Sequence, residues 1–329
     1  MKTIQRFESP DKFKEFIFKN AKSPLYSPLN ILYSAEYENT ACFTDLSFGI
    51  KFKEELLAVF TLFLKRDIDG KEFLDGCGRP ALFTIKSNLG DKEIKTIKSF
   101  VRDRLNEIFA EYSNVGIRYY ETMDENGGIS IPSLFLLENG AAIKHELSSE
   151  IDLKHPIVKL SSDIRKSYKS LINWGSKNLQ LRVLDATTIQ KDDMDKFREL
   201  HIQVAGKETR SRKTWDLMYD MIIANEAFMI DGFWEGQYVT ASFFIYNKNY
   251  CYYGVSASVR ELFDKPLLHA PMWKAMEYSK NKGILYFETG LQVFSGFGGV
   301  SKKEVDISTF KRGFGGDVKI KAIVENNYN

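Results

Sequence analysis

Two residues in the last fifth of the chain have the types and settings to do chemistry. Lys311 stands in the run Phe310-Lys311-Arg312-Gly313-Phe314-Gly315-Gly316-Asp317, and Glu288 ends the strand-like segment Leu285-Tyr286-Phe287-Glu288. An ammonium held in a fixed place lowers the barrier to reactions that build an oxyanion. A carboxylate at the end of a strand can take up a proton, and polar groups at such strand ends commonly line the ligand crevice of α/β folds. The bland alternatives are a solvated lysine before a Gly-Gly turn and an exposed strand-end glutamate. Thr289-Gly290-Leu291-Gln292 follows Glu288, which makes Gln292 a candidate substrate contact. On the strand Tyr250–Ser258 the period of two puts Tyr252, Ser256 and Ser258 on one face and Tyr253 on the other. One tyrosine packs in the core and the other reaches the acceptor; Tyr253 is assigned to substrate.

Other chemistries find no support. There is no G-x-S-x-G elbow, H-E-x-x-H helix, P-loop or Rossmann G-x-G-x-x-G. Cys42, Cys77 and Cys251 are scattered and never in C-x-x-C spacing, so neither a disulfide framework nor a zinc site is expected. His145, His155 and His201 stand without motif partners and read as structural. Arg165, Lys166 and Lys169, with Lys207, Arg210, Arg212 and Lys213, could contact phosphates of a nucleotide-linked acceptor or a tRNA end, or could simply form solvated faces.

The elements that would position these groups fill 329 residues, enough for two domains of ordinary size. Hydrophobic content of 43% and charge content of 27% are those of a soluble globular protein, and no apolar run reaches the ~18 residues of a membrane span. The N-terminus lacks an apolar signal-peptide core, so a cytoplasmic location is the default. A net charge of +2 is too small to argue for a nucleic-acid partner by itself, although a local basic patch could still exist. In the first half Asp45 to Glu54, Leu56 to Arg66 and Glu72 to Lys86 read as strands, and Asp69-Gly70 as a hairpin turn. A helix over Lys92 to Tyr112, a strand Ile117 to Thr122, a helix Pro132 to Glu138 and a strand Ala141 to Leu153 follow.

After Pro156 a charged connector helix, 162–176, leads to a second module. It reads as a strand Leu179 to Leu184, helices Asp192 to Val204 and Lys213 to Ala224, and strands Ala227 to Trp234, Tyr238 to Tyr246 and Tyr250 to Ser258. A helix Pro266 to Lys282, a strand Ile284 to Glu288, a helix Glu304 to Arg312 and a strand Val318 to Val324 complete it. Both halves share three strands, helix, strand, helix, strand, which divides the chain into domains 1–156 and 157–329.

That order in the second half is the order of a GNAT (N-acetyltransferase) domain. With the FK-x-x-FGG ending and the two-part layout, the chain resembles the Fem family of tandem GNAT-fold acyl and aminoacyl transferases. The resemblance implies an α/β (α+β) fold of two such domains, with mixed, mostly antiparallel sheets flanked by helices and a degenerate first domain. It implies that Lys311 lies at the cleft and handles the acyl donor, that Phe310 and Phe314 flank it, and that Arg165-Lys166 matches the basic stretch of the inter-domain helix. The helix N-terminus bearing His269 faces the cleft in that fold. In coenzyme A-dependent relatives a glycine-rich loop at this strand-to-helix junction holds the pyrophosphate. Here Ser258 to Leu268 contains no glycine, and Glu261 and Asp264 would repel a phosphate that Arg260 and Lys265 only partly attract.

The function implied is transfer of an acyl or aminoacyl group onto an amine of a cell-envelope precursor, a sugar nucleotide, polysaccharide or peptidoglycan-type molecule, by direct attack. No cofactor is expected; the donor is aminoacyl-tRNA or acyl-CoA, and the acceptor a small-molecule or nucleotide-linked amine. The second module has no long helical hairpin of the kind some family members carry, which weakens a peptidoglycan cross-bridge role. An acyl-CoA N-acyltransferase with a diverged phosphate loop, or a non-catalytic binding protein of the same fold, are the alternatives.

Overall fold

The computed structural model describes residues 1–122 and 128–326, which form two compact units. The first comprises residues 1–22, 26–146 and 320–329, and the second residues 23–25 and 147–319.

The first unit opens with β1 (Lys2–Gln5), α1 (Pro10–Asn20) and α2 (Pro28–Tyr37), elements the sequence reading did not anticipate. Both helices start at a Ser-Pro pair, with proline in the first turn, where its missing N–H costs nothing. The first expected strand is β3 (Phe48–Phe52), with β2 (Cys42–Asp45) a separate strand ahead of it, and the other two each divide in two: β4 (Glu55–Thr61) and β5 (Phe63–Arg66), β6 (Glu72–Asp75) and β7 (Ala81–Ile85). The reason is pairing. β4 lies between β3 and β7, whereas β5 pairs with β2 and β6, so the chain changes ladders at Leu62 without interrupting its apolar run. The expected Asp69-Gly70 turn joins β5 to β6, with Gly70 at φ 83°.

Helix α3 (Asp91–Glu111) buries Ile97, Val101, Leu105 and Ile108, a stripe at helical spacing. β8 (Gly116–Glu121), α4 (Ile131–Glu138) and β9 (Ala142–Asp152) follow. The unit's sheet runs β1-β3-β4-β7-β8. Its core has Phe60 stacked on Phe48 at 5.5 Å and on Tyr119 at 5.8 Å.

The second unit contains α5 (Ile157–Asp163), α6 (Lys166–Asn178), β10 (Gln180–Leu184), α7 (Lys191–Ala205), α8 (Arg212–Ile223), β11 (Ala227–Trp234), β12 (Gln237–Tyr246) and β13 (Tyr250–Ser258). It continues with α9 (His269–Asn281), β14 (Tyr286–Leu291), α10 (Lys302–Arg312) and β15 (Asp317–Asn326). Every strand and helix expected after residue 179 is present. The connector splits into α5 and α6, and α9 begins three residues past Pro266. The sheet order is β10-β11-β12-β13-β14, antiparallel except for the β13–β14 pair.

Laid beside each other, β1-α1-α2-β3-β4-β7-α3-β8-α4-β9 and β10-α7-α8-β11-β12-β13-α9-β14-α10-β15 have the same element order, with β2, β5 and β6 as additions to the first. The elements missed at the N-terminus are the counterparts of β10, α7 and α8. Two strands divide their membership. Ser148–Asp152 of β9 pairs with β14 and belongs to the second unit, while Ala322–Asn326 of β15 pairs with β8 and belongs to the first. The units therefore differ from a single division between residues 156 and 157, because an element order does not specify which sheet each last strand joins. Among the described residues no helix is long and apolar enough to cross a membrane.

Candidate active site

In the second unit β13 and β14 pair in parallel at Tyr250↔Tyr286, Cys251↔Phe287 and Tyr252↔Glu288. Past that point β13 continues to Ser258 and β14 to Leu291, and the register between them ends. Both strands are irregular there. β13 has an extra residue, Gly254, against β12, and β14 has one, Thr289, against β9. Bulges of this kind bend a strand and re-aim its side chains. The parallel pairing thus stops short of the carboxyl ends of both strands, the place where ligands of open α/β sheets bind in a crevice.

Four residues meet at its mouth. Gly290 follows the bulge at φ 85°, a left-handed conformation that glycine adopts without cost. A Cβ placed on it would lie 3.0 Å from the Tyr252 hydroxyl and 3.5 Å from Lys311 Nζ, so its bare Cα keeps open a space that both groups border. Glu288, buried and opposite Tyr252 in register, accepts a hydrogen bond of 2.7 Å from Ser148 Oγ. Lys311 is half-buried. Burial pushes its ammonium below the ordinary lysine range, and the negative charge of Glu288 opposes that shift without cancelling it.

The rest of the FK-x-x-FGG run explains how Lys311 is held. The rings of Phe310 and Phe314 meet edge-on at 5.2 Å, and Tyr168 and His269 complete an aromatic cluster, 4.5 Å apart. Gly313 passes beneath Tyr168 so closely that a Cβ would come 2.1 Å from the ring. Burial lowers the His269 pKa to about 4, so at neutral pH the imidazole is an uncharged member of that cluster. Arg312 donates to Gln292 Oε1 at 3.0 Å and to Thr309 Oγ1 at 3.2 Å, and its guanidinium lies 4.4 Å over Phe294. Gln292 in turn donates to the Gly290 carbonyl at 3.1 Å, which braces the turn bordering Lys311. Arg165 reaches the Thr309 carbonyl at 3.3 Å and lies over the Tyr168 ring at 5.0 Å. Burial and then the charge of Arg165 push Arg312 below its ordinary range.

The predicted residues thus fall into four groups. Lys311 and Glu288 converge on the crevice. Arg165, His269, Gln292, Phe310 and Phe314 surround the motif; Phe314 is 1% exposed and has a packing role. Lys166, in the first turn of α6, and Arg260, in a 3-10 turn after β13, are solvent-exposed. Tyr253 turns into the core, stacked on Phe244 at 5.6 Å with its hydroxyl bonded to Ser256, and burial pushes the phenol up to about 12. Tyr252 faces the crevice instead. The sequence period separates the two tyrosines by face, and only the packing of β12 against β13 says which face is inside. Arg312, Gly290 and Ser148 were not singled out; the position of Arg312 next to Lys311 was the available signal.

Beside the motif lies a cleft of about 340 Å³ whose lining includes Glu150, Asp152, Tyr286, Phe314 and Asp317. The corresponding place in the first unit is built differently. There β8 pairs with β6 as well as β7, Glu121 is tied to the Ser130 amide and hydroxyl, and α4 carries no basic residue.

A largely antiparallel sheet that contains a parallel pair, β7–β8 in the first unit and β13–β14 in the second, with one element order in both units, is a tandem GNAT-like fold. Comparison with solved structures places it more closely. FemX matches with a TM-score of 0.72 at 12% identity, over 99% of this chain and 98% of that one. L-PGS from Bacillus licheniformis matches at 0.61 and 12% identity, over 98% and 93%. A tandem GNAT protein from the clavulanic acid biosynthesis pathway matches at 0.51 and 11% identity, over 100% and 98%. The chain has the Fem-like tandem GNAT fold. No protein-family model and no curated protein sequence matches it.

Proposed function

We propose that this protein is a Fem-like transferase that moves an acyl or aminoacyl group onto an amine of a cell-envelope precursor, and that the second unit carries the reaction. The observation that supports this reading best is that Lys311 Nζ borders the space at Gly290, where β13 and β14 part, within the field of the buried Glu288 carboxylate. In a direct transfer the amine attacks the donor carbonyl, the carbonyl electron pair moves onto oxygen, and the Lys311 ammonium stabilises that oxyanion. Glu288 takes the proton released by the attacking nitrogen and returns it to the leaving group as the donor bond breaks. No covalent enzyme intermediate is needed, in keeping with the buried state and raised pKa values of Cys77 and Cys251.

An aminoacyl ester, such as aminoacyl-tRNA, is favoured as donor over acyl-CoA. The segment between β13 and α9 has no glycine, a 3-10 turn occupies part of it, and Asp264 is paired with Lys265. Offering aminoacyl-tRNA and acetyl-CoA in parallel to the protein with amine acceptors tests the choice. Turnover of acetyl-CoA alone would establish the acyl-CoA alternative.

The reaction's pH dependence is fixed in sign by Lys311. Only the protonated form can stabilise an oxyanion, and its pKa is lowered, so activity falls as pH rises through a value below the ordinary lysine range. A kcat profile whose alkaline limb falls there, and which disappears from the residual rate of Lys311→Met, is the expected result; the same limb in both proteins would assign it to another group.

A further inference from the structure

We propose that the Tyr252 hydroxyl is a second hydrogen-bond donor to the acyl oxygen, acting with the Lys311 ammonium over the bare Cα of Gly290. This rests on the acyl-transfer reading above and adds a residue to it. Tyr252 is opposite Glu288, at the last paired position before β13 and β14 separate. Its hydroxyl and Lys311 Nζ approach the same point from different elements, 3.0 Å and 3.5 Å from the place a Gly290 side chain would fill. Three features hold that space in shape. The bulge at Thr289 turns the strand, the left-handed Gly290 leaves room, and Gln292, itself gripped by Arg312, fixes the Gly290 carbonyl.

Two donors from different elements define where an oxygen carrying developing charge can sit, which a single flexible lysine does not. In the step itself the nitrogen–carbon bond forms and the carbonyl pair moves to oxygen, where the phenol O–H and the ammonium N–H both donate. On collapse the carbonyl re-forms, the bond to the leaving oxygen or sulfur breaks, and the leaving atom takes the proton held by Glu288. Tyr252 keeps its proton throughout.

The test has two arms. Acetylation of Lys311 by acetic anhydride is followed by peptide mass spectrometry with and without methylphosphonate, a tetrahedral oxyanion, and exposed Lys166 serves as the internal standard. Methylphosphonate should slow acetylation of Lys311 in the wild type, and the concentration needed should rise about tenfold, the loss of one hydrogen bond to a charged group, in Tyr252→Phe but not in Tyr253→Phe. Absence of protection in the wild type, or equal protection in Tyr252→Phe, overturns the proposal. In the transfer assay Tyr252→Phe should lower kcat about 10²-fold with KM unchanged, and an unchanged kcat overturns it equally. Labelling needs no turnover, so failure of the transferase reading would be seen separately, as no transfer by the wild type from either aminoacyl-tRNA or acetyl-CoA.

Discussion

Lys311→Met is expected to lose about 10²- to 10³-fold in kcat while melting at the same temperature as the wild type or above it. The two halves of this result have one cause. Burial lowers the Lys311 pKa in the folded state, so at neutral pH the protonated lysine is held where its charge is disfavoured, and that cost is present at every pH below the folded pKa. It is relieved only as pH rises toward the pKa of the unfolded chain. Methionine fills similar space without charge and removes the cost. A solvated lysine before a turn would leave both numbers unchanged. Lys311→Arg should recover little activity, since the guanidinium is larger, planar and unsuited to the space beside Gly290. The measurement is kcat and melting temperature on the same preparations; undiminished kcat in Lys311→Met contradicts the role.

Residues 157–329 expressed alone are expected not to fold, whereas residues 147–329 retain a folded second unit. The shorter fragment lacks Ser148–Asp152, which pair with β14 on the side away from β13. Without them β14 becomes an open edge, Ile151 and Leu153 are lost from the interior, and Glu288 loses the Ser148 hydroxyl that bonds it. Burying Ile151 and Leu153 contributes about 1.5 to 3 kcal/mol each, a large share of a domain's ~5 to 15 kcal/mol. Far-ultraviolet circular dichroism and thermal melts of the two fragments check this; a cooperative transition in 157–329 would contradict the assignment of β9 to the second unit.

How much of this was legible depended on the range of the interactions involved. The second unit's central strands are apolar runs bounded by turn residues, and α9 stops just before Gly283, so its elements could be located from their own residues. In the first unit, Ser9-Pro10 and Ser27-Pro28 are equally good helix starts, and Phe13, Phe16 and Ile17 are spaced for one buried face. These signals mark both helices in the sequence. The break at Leu62 is different. Nothing local marks it, since β4 and β5 are separated only by which partner each finds.

The same distinction holds at the site. Lys311 and Glu288 stood out by residue type and position, and the aromatic positions 310 and 314 by their flanking of the lysine. That Phe314 packs against Tyr168 follows only from α6 lying under α10's exit, and that Tyr252 rather than Tyr253 borders the crevice follows only from which face of β13 meets the core. The sequence period supplies two faces and no label for either.

The most direct test of the claim that the second unit carries the chemistry is the transfer rate of two variants measured side by side. Lys311→Met/Glu288→Gln removes both charged groups at the β13–β14 crevice, and Glu121→Gln alters the carboxylate at the corresponding strand of the first unit while preserving its bonds from Ser130. The account predicts that the first variant loses at least about 10²-fold in kcat and that the second keeps the wild-type rate. Activity that survives the double substitution and is abolished by Glu121→Gln would contradict it.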